Sequence, residues 1–116
     1  MTRRAAERAG RKAERRAALW LMLKGYRILA RRLRTPMGEV DLVARKRRCV
    51  VFVEVKARPS LAEAEASLDR YRLRRVAAAA EALTPRFARK GEDVRIDAVY
   101  IAPGRLPRHL PDVWLG

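Results

Sequence analysis

The sequence predicts an α/β domain, a mixed sheet of four to five strands flanked by helices. Three observations predict it. Apolar residues recur at spacings of three and four near the N-terminus and again after Pro59, which is the period of a helix with one buried face. Between those stretches lie three short runs rich in Val, Ile and Leu, separated by brief turns, as in an antiparallel meander. A fourth such run follows the second helix, and a helix between strands supplies the crossover that a parallel pair requires. At 116 residues the chain is expected to be a single domain, 1–116, able to bury a core without staples.

Each element has a local reason. A basic helix is expected over about 5–24, where Ala6, Ala9, Ala13, Ala17 and Leu21 form one stripe and Arg8, Arg11, Lys12, Arg15 and Arg16 fall mainly elsewhere. Gly25 is its stop. Tyr26 to Arg34 reads as a strand, Pro36 and Gly38 as a turn, and Glu39 to Ala44 as a second strand. Arg45 to Arg48 is a basic turn into the third and central strand, Cys49 to Ala57. Pro59-Ser60 opens a second long helix, with Ser60 and Glu63 forming a capping box. It is expected to run to about Leu83 and to stop at Thr84-Pro85. Val94 to Ala102 is the fourth strand, and the Pro-rich tail, about 103–116, carries at most a short edge strand.

The charge balance points to a polyanionic partner. Lys and Arg number 28 against 13 Asp and Glu, a net charge of +15, and most of the cations are Arg. Guanidinium groups suit bidentate phosphate contacts, so nucleic acid is the favoured partner over anionic lipid or an acidic protein. The one cysteine, Cys49, forms no pair and fits a reducing, cytoplasmic location. The apolar stretch Ala17 to Leu23 is too short to span a bilayer, so no membrane association is expected. Lys24-Gly25-Tyr26-Arg27 follows it in place of a signal-peptide cleavage site, and Glu7 and Glu14, without serines, count against a transit peptide.

The run Cys49-Val50-Val51-Phe52-Val53 ends in Glu54-Val55-Lys56. A strand that apolar is buried, and a carboxylate and an ammonium at its end need partners. Side chains alternate along strands, so Glu39 shares a face with Asp41, and Glu54 with Lys56. If the second and third strands pair as a hairpin, Asp41 and Glu54 approach each other. Two carboxylates meeting there repel unless they are protonated or bridged by a cation. Mg²⁺ suits the arrangement, because it takes one or two carboxylates, a carbonyl, waters and a substrate phosphate. Read without Asp41, Glu54 and Lys56 equally describe a same-face ion pair.

Gly38-Glu39-Val40-Asp41-Leu42-Val43 and Val51-Phe52-Val53-Glu54-Val55-Lys56-Ala57-Arg58 resemble the motifs of the YraN family, and the resemblance extends from about Gly10 to Ala102. That family is similar to the archaeal Holliday-junction resolvases, with the restriction-endonuclease-like core and the PD-(D/E)xK signature. The resemblance implies Asp41, Glu54 and the Val55 carbonyl as ligands of Mg²⁺ (or Mn²⁺), and Lys56 as the lysine beside the attacking water. It places Glu14 as the acidic residue of the first helix. Glu39, on the face of Asp41, reads either as a group supporting the ligands or as an ion-pair partner of a neighbouring Arg. Arg34, Arg58, Arg70 and Arg74 are the expected phosphate contacts. The implied function is a Mg²⁺-dependent endonuclease acting on branched or structured DNA, with a homodimer as the assembly the analogy suggests. The alternative is a non-catalytic nucleic-acid-binding protein on the same fold.

This chain departs from the family pattern at three places. Ala13-Glu14 replaces Gly-Glu, Arg31-Arg32-Leu33-Arg34 replaces Arg-Asn-x-Arg, and Arg70-Tyr71 stands where Lys-Gln is usual. Glu14 is otherwise a helix-surface partner for Arg11. His109 reads as a solvated tail residue, and Trp20 and Tyr71 read as core.

Overall fold

The structure is a computed structural model that describes residues 2–114; Met1, and the last two residues of the expected tail, Leu115 and Gly116, lie outside the described residues. In chain order the elements are α1 (Arg3–Leu23), β1 (Arg27–Thr35), β2 (Gly38–Lys46), β3 (Cys49–Ala57), α2 (Leu61–Ser67), α3 (Arg70–Phe87), β4 (Asp93–Ile101) and β5 (Arg108–Leu110). The strands form one five-stranded sheet in the order β1-β2-β3-β4-β5. The first three form the expected antiparallel meander, β4 joins β3 in parallel after the helical crossover, and β5 adds antiparallel at the edge. This is the α/β architecture read from the sequence, consistent with a restriction-endonuclease-like core.

The core is split by the sheet. On one face Ala13, Ala17, Ala18 and Leu21 of α1 pack against Leu42, Ala44, Val51, Val53, Val99 and Ile101. On the other, Val76, Ala79, Ala80 and Leu83 of α3 cover Val40, Val43, Val50, Phe52 and Ile96, while Ala64 of α2 meets Ala98 and Tyr100. Val50 to Val53 are buried without interruption, because a helix layer covers each face of the central strand. The stripe on α1 is only half used. Ala6 and Ala9 are exposed. Among the described residues no helix is long and apolar enough to cross a membrane.

The second helical stretch differs from the expectation. It is two helices, broken at Leu68-Asp69. Ser60 caps the first as expected, its hydroxyl accepting from Glu63 N–H at 3.1 Å. Asp69 then starts α3 by accepting from Arg72 N–H at 2.9 Å, a competing local hydrogen bond of the kind that makes Asp an N-cap. Leu68 packs against the α2 side of the core at this break. Thr84-Pro85 does not stop α3, which continues to Phe87. Proline so near the helix end removes little of the backbone ladder, and the Thr84 hydroxyl donates to Ala80 O at 2.7 Å.

Candidate metal centre

The centre forms where β2 leaves β3. Their ladder runs from Lys46↔Cys49 to Leu42↔Val53. Continued by two residues, it would give Val55 N–H to the carbonyl of Val40. Instead Val55 N–H donates to Asp41 Oδ2 at 2.8 Å. The side chain of Asp41 thus replaces a backbone acceptor, and its carboxylate is brought against Glu54, the residue opposite it in the extended register. Gly38 permits the departure. A Cβ there would lie 2.9 Å from the backbone oxygen of Arg75, so only glycine lets the start of β2 pass this close to α3.

Asp41 and Glu54 are in conflict as the protein stands. Burial, then a carboxyl–carboxyl hydrogen bond with Glu54 and its negative charge, push Asp41 from 3.8 up to about 8. At neutral pH this favours the protonated form of Asp41, as crowding of buried carboxylates does without a cation. Lys56, nine-tenths buried, places its Nζ 4.0 Å from Glu54 Oε1. Burial pushes the Lys56 ammonium down, against the attraction of Glu54.

These carboxylates face a cavity of about 360 Å³ lined by Glu39, Asp41, Glu54, Tyr71, Arg72, Arg75 and Val76. One wall is β2 and β3, and the other is α3. Glu39 lies on the strand wall and approaches exposed Arg34 at 3.8 Å. Among the described residues, Arg72 and Arg75 make no side-chain ion pair. Two unpaired guanidinium groups therefore stand across the cavity from a carboxylate pair. Arg70 and Arg74 lie on another side of α3, Arg70 over the Trp114 ring at 5.5 Å and Arg74 in a groove beside Trp114. Arg58 follows the end of β3, exposed and bonded to its neighbour's carbonyl. Sequence reasoning missed Arg72 and Arg75, because which residues of an arginine-rich helix face the sheet depends on its rotation.

Glu14 is not among the residues lining the cavity. Its carboxylate accepts from Arg32 Nε at 2.6 Å. Arg32 itself lies beside the centre, since its neighbours Arg31 and Leu33 pair with Leu42 and Val40, the residues flanking Asp41. Its φ of 52° is in the left-handed region, where Asn is far more at ease than Arg. Arg32 stands at the position where the Arg-Asn-x-Arg pattern has Asn, and here it holds the helix carboxylate one strand away from Asp41.

The donor set can be judged from these facts. Among the described residues no three His, Cys, Asp or Glu converge on one point. The carboxylate pair nevertheless fits Mg²⁺, which needs one or two carboxylates and keeps waters for the rest. The proton held by Asp41 marks where positive charge is wanted. The carbonyl of Val55 leaves β3 on the same side as the N–H that Asp41 binds, as both groups of one strand residue do.

A second polar cluster was not foreseen. Asp97 is fully buried on β4 and accepts two bonds from Arg95, at 2.7 and 2.8 Å, one from Asp112 N–H at 3.0 Å, and one from His109 at 2.7 Å. Burial alone would raise the Asp97 carboxyl, but the hydrogen bonds from Arg95, His109 and Asp112 outweigh it and hold it at about 2. His109 is therefore not a solvated tail residue; its ring is buried, with Lys24 Nζ at 2.6 Å from Nδ1. Tyr71 is not core either, being 61% exposed.

Fold and site together define a small basic α/β protein with a dicarboxylate centre at the end of its central strand. The family model described as Uncharacterised protein family UPF0102 matches residues 13–101. A UPF0102 protein of Sphingopyxis alaskensis is 63% identical over 114 residues, 98% of each chain. UPF0102 proteins of Erythrobacter litoralis (56% over 114 residues, 98% of each chain) and Nitrobacter winogradskyi (54% over 107 residues, 91% of each) are similar over comparable spans. The chain belongs to the UPF0102 family, the YraN family of the sequence resemblance.

Proposed function

We propose that this chain is a Mg²⁺-dependent endonuclease that hydrolyses phosphodiester bonds in branched or structured DNA. One observation carries the reading: Asp41 and Glu54 meet at a break in the sheet ladder, with Lys56 beside them and Arg72 and Arg75 on the opposite wall of the cavity. Asp41, Glu54 and the Val55 carbonyl would hold the ion. Bound there, Mg²⁺ supplies Lewis-acid stabilisation of charge on the scissile phosphate and activation of water. Lys56, its ammonium weakened by burial, positions or polarises that water. Arg72 and Arg75 bind phosphate oxygens from the α3 wall, and Arg34 and Arg58 extend the basic surface outside the cavity. Such contacts position a polynucleotide without reading its sequence. A cytoplasmic homodimer, as in the resolvases that the motif resembles, belongs to this reading.

The second reading is a non-catalytic nucleic-acid-binding protein on the same fold. It is favoured by the donor set, since among the described residues no three His, Cys, Asp or Glu converge on one point. Cleavage of forked, four-way and duplex DNA with Mg²⁺ or Mn²⁺ separates the two. Metal-dependent cutting by the wild type, lost in Asp41→Ala and Lys56→Ala, is expected. Binding without cutting on every substrate would leave only the second reading. In either case binding should weaken steeply with salt, with a log–log slope near about −5 for roughly six phosphate contacts.

A further inference from the structure

We infer that Tyr71 is a stacking platform for an unpaired nucleobase next to the bound phosphate, so that the site selects DNA with an unpaired nucleotide at that point. The inference rests on the nucleic-acid reading above and deepens it. Tyr71 lines the same cavity as Asp41, Glu54, Arg72 and Arg75 and is 61% exposed at its mouth. It is the one aromatic ring of a lining otherwise composed of charged side chains and Val76. Among the described residues its ring has no aromatic partner and its hydroxyl no hydrogen bond, whereas Tyr26 has both. A ring used for packing would be covered, and one used for its hydroxyl would be bonded. This one offers a bare face to solvent.

The ring is carried by a capped helical turn. It sits in the first turn of α3, directly after the cap formed by Asp69 on Arg72 N–H. Arg72 and Arg75 follow on the cavity side of the same helix, so a phosphate on those guanidinium groups brings its own nucleoside towards the ring. A base in an intact duplex has both faces occupied by neighbouring bases. Only a single strand, a fork arm or a flap presents a free face for stacking, and base–aromatic stacking does not depend on base identity. The site would therefore recognise structure without reading sequence.

The test is equilibrium binding in metal-free buffer, using single-stranded DNA, a blunt duplex of the same sequence, and a fork with 2-aminopurine in its unpaired arm. The full chain is compared with Tyr71→Phe, Tyr71→Ala and Arg72→Gln. Wild type should bind the single strand and fork more tightly than the duplex and quench the 2-aminopurine. Tyr71→Ala should lose about 5- to 100-fold on those two DNAs, lose the quench, and leave duplex binding nearly unchanged, while Tyr71→Phe behaves as wild type. Arg72→Gln should weaken all three DNAs. Tyr71→Ala binding all three as wild type does, or weakening all three equally, would overturn the stacking role and leave nucleic-acid binding standing. A wild type that binds none of the three would overturn the nucleic-acid reading itself and this inference with it.

Discussion

Replacing Asp41 with asparagine should stabilise the metal-free protein while removing its metal site. The substituted side chain keeps the geometry, because an amide carbonyl can accept from Val55 N–H and an amide N–H can donate to Glu54, the two interactions Asp41 makes now. It also removes the conflict that lifts Asp41 from 3.8 to about 8. A carboxyl with a raised folded pKa favours the fold fully at low pH. That contribution is lost as pH rises from about 4 to about 8, at up to about 1.4 kcal/mol per pH unit. The cavity opens to solvent, which screens part of this, so the expected gain of Asp41→Asn at pH 8 is about 1–3 kcal/mol. For a domain of this size, ~2 kcal/mol is roughly 5–10 °C in Tm. The assay is thermal unfolding in EDTA from about pH 5 to 9, the working range of the linkage. The difference between variant and wild type should grow up to about pH 8 and then level off. A variant less stable than wild type at pH 8, or a difference independent of pH, would refute the reasoning.

Three further outcomes follow from other contacts. Arg32→Asn relieves the left-handed φ of 52° and frees Glu14. Stability should change by less than about 1 kcal/mol, because relief of strain offsets the lost ion pair, and Mn²⁺ affinity should rise if Glu14 then reaches the centre. Unchanged denaturant stability with unchanged affinity would show that Glu14 has no access to it. Asp97→Asn strands Arg95 and should cost about 2–4 kcal/mol at neutral pH. Because Asp97 is depressed to about 2, its contribution is present at neutral pH and is lost as pH falls through that value; the variant's urea midpoint should lack that acid loss, and one that tracks wild type would contradict the assignment. Gly38→Ala sets a Cβ against Arg75 O and should cost about 1–3 kcal/mol, with amide exchange faster in the first turns of α3. Wild-type exchange there would mean that β2 yields and α3 does not.

The parts of this protein that were legible in its sequence are those set by neighbours along the chain. The central strand, the Ser60 cap and the pairing of Asp41 with Glu54 follow from alternation and short turns, and each stands where those rules put it. The break between α2 and α3 hides in a continuous helical pattern, because one capping Asp69 competes locally against a propensity spread over many residues. The rotation of α3 decides that Arg72 and Arg75 enter the cavity while Arg70 and Arg74 do not, and the sheet sets that rotation. His109 looked solvated because its partner Asp97 arrives from another strand. Glu14 was tied to a positive-φ residue that no periodicity reports.

The central claim is that Asp41 and Glu54 form a metal site, and Mn²⁺ titration followed by electron paramagnetic resonance tests it most directly. The wild type should bind one Mn²⁺, displaced by Mg²⁺. Asp41→Asn and Glu54→Gln should lose it while remaining folded, and Lys56→Met should keep it. Absence of binding by a folded wild type, or binding that survives both carboxylate substitutions, would contradict the account.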